Sequence, residues 1–208
     1  KYGETSIICK IFTESLGLQS FIVNGIRKSK SKNIGLFQPL NIIDMVIYLN
    51  KKSELHRIKE IKPNNIYSTL HNDISKISLC FFLSEFLSKV STTEENQYDK
   101  FEFIINSFKV LDSTKDGYHN FHVQFLLKFL KFFGFELSSS KQISRFGTLN
   151  PETTKYIDDC IKNNYDIKID SNNILRNKVI NLLIEYYSRC LDINIKLKST
   201  TVLKNIFK

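Results

Sequence analysis

Four cations fall within six residues at Arg27-Lys28-Ser29-Lys30-Ser31-Lys32. Such a run has no bond-breaking chemistry of its own. It can follow a phosphate backbone, neutralising charge and releasing counterions. It can equally be a solvated surface loop. A second basic set, Lys51, Lys52, Arg57, Lys59 and Lys62, follows on the next connection. Two basic segments in one short stretch favour a nucleic acid as partner. Arg27, Lys28, Lys30 and Lys32 are therefore the expected DNA contacts, with Arg57 and Lys59 in support.

The remaining side-chain chemistry is sparse. His119 and His122 are spaced i, i+3 and could present two metal ligands, but no carboxylate or cysteine completes the set, so a structural role is expected. Cys9, Cys80, Cys160 and Cys190 are far apart with no CxxC, which excludes a sequence-local zinc knuckle and fits reduced, buried, cytoplasmic cysteines. Glu94-Glu95 and Asp158-Asp159 read as helix starts or solvated faces rather than a catalytic carboxylate pair. No phosphate-binding P-loop, dinucleotide fingerprint, HExxH or GxSxG is present, so neither an enzyme activity nor a cofactor is expected. Among 17 Phe and 9 Tyr most lie at helical core spacing. Tyr48, on the mixed face of a strand, is the better candidate for base stacking, against an ordinary surface role.

Two kinds of element must position these residues. In the first third, Ile7, Cys9 and Ile11 alternate with Ser6, Ile8 and Lys10 as in a half-buried strand. Gly17 marks a turn, and a second apolar run covers residues 18–26. A third run over residues 36–49 places Ile43, Met45, Ile47 and Leu49 on one face and Ile42, Asp44, Val46 and Tyr48 on the other, with Pro39 near its start suggesting a bend or an edge. The fourth, residues 54–62, repeats Leu55, Ile58 and Ile61 every three residues, which periodicity alone reads as helix.

From about residue 73 the period is helical. Phe101, Ile104, Ile105, Phe108 and Leu111 mark one face, and Tyr118, Phe121, Phe125, Phe129 and Phe133 another, stopped by Gly134. Asn150-Pro151 is an N-cap followed by Pro at the first helical position. Leu175, Val179, Leu182, Leu183, Tyr186 and Cys190 give a longer helix, and a last one over residues 202–207 is expected to be capped by Ser199. The turn-forming Pro63-Asn64-Asn65 and the change of period divide the chain into residues 1–72 and 73–208. No apolar run approaches the length of a membrane span.

Charge follows the same division. The net charge is +9, and an AT-rich genome alone would raise Lys, Ile and Asn. Yet residues 1–72 hold 11 Lys+Arg against 5 Asp+Glu, while residues 73–208 hold 19 against 16. Codon bias would spread the excess more evenly, so the β region is the expected anion-binding surface.

In order and spacing these residues resemble the RecO family of bacterial DNA repair proteins. Tyr2-Gly3-Glu4-Thr5-Ser6, then Phe12-Thr13-Glu14 and Gly17-Leu18-Gln19-Ser20, are similar to its opening. Val23-Asn24-Gly25-Ile26-Arg27-Lys28-Ser29-Lys30, Leu36-Phe37-Gln38-Pro39-Leu40 and Arg57-Ile58-Lys59-Glu60-Ile61 continue the same domain. Asn120-Phe121-His122, Gly134-Phe135, Tyr186-Tyr187 and Leu197-Lys198-Ser199 resemble its helical part. The resemblance implies an α+β chain, with an N-terminal OB-fold barrel followed by a mainly helical domain, and favours strand over helix for residues 54–62. It also implies a further strand ahead of Tyr2. Some members carry a four-cysteine zinc site; the scattered cysteines here depart from that, and no zinc is expected.

The implied function is recombination mediation in the RecF pathway: binding single- and double-stranded DNA, annealing complementary strands and assisting RecA loading. The implied partners are RecR and the acidic C-terminal tail of the single-stranded-DNA-binding protein, in the cytoplasm at the nucleoid. The reading from a different class is a protein-interaction adaptor whose basic surface serves acidic protein tails without touching DNA.

Overall fold

A computed structural model describes residues 4–27, 33–49, 53–94, 97–147 and 149–207. Two compact units divide the chain: Lys1–Tyr67 with Leu87–Asn106, and Ser68–Phe86 with Ser107–Lys208.

The first unit is built on four strands, β1 (Ile7–Thr13), β2 (Gly17–Val23), β3 (Ile43–Tyr48) and β4 (Leu55–Pro63), in the order β1-β2-β4-β3. The β1–β2 and β3–β4 pairs are antiparallel and β2–β4 is parallel. The β1–β2 turn is fixed locally: Thr13 Oγ1 accepts from the Leu16 amide and donates to the Gly17 carbonyl, both at 3.0 Å. Gly17 is required there twice over. Its φ is +63°, and a Cβ would sit 2.6 Å from the Glu94 carbonyl and 2.7 Å from that of Thr92. The close approach lets the Leu18 amide donate to the Thr92 carbonyl at 2.8 Å.

The step of three from Ile58 to Ile61 has a structural cause, whereas Leu55 and Ile58 lie on opposite faces. Val46 pairs with Glu60 and Ile47 with Ile58, so Lys59 is the extra residue of a β-bulge. One added residue turns the strand period of two into a step of three, and Ile58 and Ile61 stay on one face. The segment is a strand, as the family resemblance implies and contrary to periodicity alone. The third run is shorter than its apolar stretch. Ile34–Phe37 forms a 3-10 turn, and Leu40, after Pro39, takes a φ of 66°, so the strand begins only at Ile43. Pro39 has no N–H for a ladder and the turn reverses the chain before pairing resumes.

The helices are α1 (Ile74–Val90), α2 (Tyr98–Ser113), α3 (Phe121–Phe129), α4 (Pro151–Lys162), α5 (Asn173–Cys190) and α6 (Thr200–Ile206). In the second unit, α3 is buried nearly all round, including its polar His122 and Gln124. Its Phe125 ring stacks on Phe108 and Phe129 at 5.6 and 5.4 Å. Phe86 meets Tyr187 edge-on at 4.9 Å, and Tyr187 Oη donates to the Leu126 carbonyl at 2.6 Å. The Phe row at every fourth residue does not belong to one α-helix: Leu130–Phe133 is 3-10, closed by Gly134 at φ +78°. Asn120 joins three segments, donating to the Ile169 carbonyl and accepting from Tyr156 Oη and Ser171 Oγ.

The cap at Asn150 follows the sequence, accepting from the Thr153 amide at 2.8 Å; the structure adds a second at Asn172, which accepts from the Leu175 amide at 2.8 Å. Ser199 does not cap α6. Its backbone is already helical, and its hydroxyl donates instead to Glu85, whose carboxylate also accepts the amides of Lys198 and Ser199. A carboxylate from α1 thus supplies the anionic cap that the local sequence assigns to a serine.

Candidate nucleic-acid interface

Strand register decides which side chains share a face. Ile8, Ile22, Arg57 and Tyr48 form one continuous row across the four strands. The next row is Lys10, Ser20 and Leu55. On the β3–β4 side the same face carries the pairs Val46–Glu60 and Asp44–Lys62. The opposite face holds Cys9, Phe21 and His56, with His56 buried at 3.2 Å from Gln19 Oε1. Cations and the tyrosine are therefore gathered on one side of the sheet.

Beside this row lies a hollow of about 290 Å³ whose lining includes Asn24, Asn33, Phe37, Tyr48, Arg57 and Lys59. Of the expected contacts, the structure brings Arg57 and Lys59 together here. Arg57 is exposed and, among the described residues, forms no ion pair or side-chain hydrogen bond. Lys59 Nζ lies 3.5 Å from Glu60, and Lys62 Nζ lies 3.5 Å from Asp44. Exposed pairs of this kind are worth about 0–1 kcal/mol, enough to compete with a ligand but not to exclude one. Arg27 is exposed just after the turn at Gly25, with its amide donating to the Thr5 carbonyl at 3.0 Å. It does not line the hollow. Lys28, Lys30 and Lys32, and with them Lys51 and Lys52, lie outside the described residues.

Lys10 escapes a reading of the sequence as a contact, although it shares the Arg57 face. The alternation of Ile8 and Lys10 with Cys9 and Ile11 carries that signal; what it lacks is the register that puts β1 in line with β4. Phe37 and Asn24 fall within runs read as strands, yet the structure puts them and Asn33 in turns, which periodicity does not mark as part of a hollow.

His119 and His122 sit among aromatic rings, His119 edge-on to Phe207 at 5.5 Å. His122 is buried, stacked on Phe207 at 6.0 Å and edge-on to Phe82 at 6.0 Å. Burial pushes its pKa down to about 3, with the Arg176 charge adding to the shift, so the ring is neutral. Burial pushes the thiols of Cys80 and Cys160 up to about 12. Among the described residues no three of His, Cys, Asp and Glu converge as a metal site would need. Asp158 is occupied structurally, accepting from the Ser140 amide at 2.7 Å. Among the described residues no helix is long and apolar enough to cross a membrane.

A four-strand sheet with cations on one exposed face, followed in the chain by helices, defines an α+β protein, whose N-terminal domain is OB-fold-like by its family. Profile comparison gives the particular family. Residues 1–67 match the N-terminal domain of recombination protein O and residues 71–196 match its C-terminal domain. The chain belongs to the recombination protein O family, whose role is in DNA repair and recombination. It is 33% identical to the DNA repair protein RecO of Flavobacterium psychrophilum over 225 residues, covering 100% of this chain and 94% of that protein. It is 33% identical to that of Flavobacterium johnsoniae, again over 100% of this chain and 94% of the relative. The RecO of Phocaeicola vulgatus is 31% identical over 99% of this chain and 94% of its own length.

Proposed function

We propose that this protein is a non-catalytic recombination mediator that binds single- and double-stranded DNA, anneals complementary strands and assists RecA loading onto DNA covered by single-stranded-DNA-binding protein. In this reading residues 1–72 carry the DNA contacts, and residues 73–208 serve RecR and the acidic tail of the single-stranded-DNA-binding protein. Arg27, Lys28, Lys30 and Lys32 track the backbone, and Arg57 and Lys59 hold it against the sheet.

The observation that carries the reading is Arg57, an exposed cation with no ion pair among the described residues, beside a hollow on the sheet. Annealing requires no bond chemistry, only screening that lets two polyanions approach. OB folds combine a basic groove with aromatic platforms for this purpose.

The test is fluorescence anisotropy of a labelled oligonucleotide titrated from low to physiological salt, followed by an annealing assay. Steep salt dependence is expected. Replacing Arg27, Lys28, Lys30 and Lys32 together by Ala should weaken binding to all sequences alike and lower the salt slope by about 1 for each phosphate no longer neutralised. Unchanged affinity and slope would remove the loop from the DNA-binding surface. No DNA binding at low salt would leave the adaptor that binds acidic tails.

A further inference from the structure

Charge neutralisation alone gives no use to the ring at the end of the sheet row. Tyr48 is 59% exposed, and Val46, its neighbour on the same face of β3, is 49% exposed. A single exposed aromatic is ordinary. Tyr48 is not isolated, however: it is the cross-strand partner of Arg57, and the two line the same hollow with Phe37, Asn24, Asn33 and the apolar Ile22, Ile26 and Ile58. An aromatic residue and a cation therefore border one space of about 290 Å³.

We infer that this hollow is a subsite for one unstacked nucleobase of a single strand, the base lying on the Tyr48 ring and a neighbouring phosphate on Arg57. The inference rests on the proposed DNA-binding function and adds to it a contact with bases. The geometry selects the strand state. Duplex bases are already stacked on one another and present only their edges, so they cannot offer a face to Tyr48. A single strand can splay one base at little cost, and a ring accepts any base because every base has a π face. Arg57, between Ile22 on β2 and Tyr48 on β3, supplies the complementary charge next to the ring rather than at a distance from it. The subsite biases the protein toward the single strands that annealing consumes and away from the duplex it produces.

The experiment compares three probes of equal length on the intact protein: oligo-dT, a strand of abasic residues, and a duplex. The wild type should bind the abasic strand about tenfold more weakly than oligo-dT, since stacking on an aromatic is worth about 1–3 kcal/mol per base. Tyr48→Ala should bring oligo-dT down to the abasic level and leave duplex affinity unchanged, whereas Tyr48→Phe should keep the preference. A 2-aminopurine in the strand should be quenched by the wild type and by Tyr48→Phe but not by Tyr48→Ala. Equal wild-type affinity for oligo-dT and the abasic strand would overturn the subsite while leaving phosphate binding intact, with no dependence on a variant folding. A Tyr48→Ala loss of the same size on duplex would do so too. If the wild type bound no oligonucleotide at low salt but captured an Asp/Glu-rich peptide through Tyr48, both the subsite and the DNA-binding function would fall.

Discussion

Two cations and three rings of the second unit are put to the opposite use from Arg57 and Tyr48 of the first. In the second, Lys76 is 1% exposed, and its ammonium donates to Thr69 Oγ1 and to the carbonyls of Asp112 and Thr114 at 2.7, 3.1 and 2.6 Å. Arg176 is buried too, donating to Ser171 and to the Phe207 carbonyl. Phe125, Phe129 and Tyr187 are fully buried. In the first unit Arg57 is exposed, and Tyr48 stands out into solvent beside it. Residue type does not set the role. A cation such as Lys76, whose three ammonium donors all meet protein oxygens, ties the fold, and one left in water is available to a ligand.

The comparison breaks most visibly at Lys76. Lys76→Met leaves two carbonyls and a hydroxyl without their donor in a dry site, and should cost about 3 kcal/mol, read from the urea midpoint. Oligonucleotide affinity per folded molecule should not change. A cost below about 0.5 kcal/mol, the scale of an ordinary surface substitution, would mean that the buried ammonium is not a structural tie.

Asp112 tests the same unit through pH. Burial pushes its carboxyl up, but the amides of Ser68, Thr69 and Leu70, at 3.0, 2.8 and 2.8 Å, outweigh burial and hold it at about 2. A carboxyl held below its unfolded value stabilises the fold at every pH above that value and loses its contribution as pH falls through about 2. Asp73 is lowered too: burial pushes its carboxyl up, but Tyr118 Oη donating at 2.7 Å and the Lys76 and Ser75 amides outweigh it, so its contribution is likewise lost on the acid side. Asp112→Asn should cost about 1–2 kcal/mol at neutral pH and flatten the fall of the urea midpoint between about pH 4 and 2. An unaltered acid limb in the variant would assign that limb to other carboxyls.

The smallest effects belong to the exposed cations, and they should be invisible to denaturants. Arg57→Ala should leave the urea midpoint within about 0.5 kcal/mol and lower the salt slope of DNA binding by about 1. Lys59→Ala should do less, because Lys59 is already compensated by Glu60 at 3.5 Å. Glu60→Gln should recover that difference by freeing Lys59 for phosphate. A larger effect from Lys59 than from Arg57 would reverse their order in the interface.

Much of the architecture is legible in residue pattern. Alternation locates β1 and separates the two faces of β3, and Asn150 caps the helix it precedes. The first helix, α1, is hard to read, because polar Lys76 and Ser78 are buried while Ile74 and Phe81 stay exposed, so polarity does not follow burial along it. Ser199 has the local position of a cap, yet the cap is Glu85, more than a hundred residues earlier. The basic character of residues 1–72 is plain in the sequence; that Arg57 stands beside Tyr48, and that Lys10 joins their face, is not.

By itself the sequence determined the division into a basic β part and a helical part, the family, and the types of side chain available. These follow from period, composition and order, which are local properties of the chain. Only the tertiary structure decided which cations are consumed and which are offered, because that depends on oxygens brought from distant segments. It also decided that Leu55–Pro63 is a strand, since a bulge at Lys59 imitates helical spacing and only pairing with Val46 and Ile47 reveals it. Strand register is a relation between segments, and no single segment contains it.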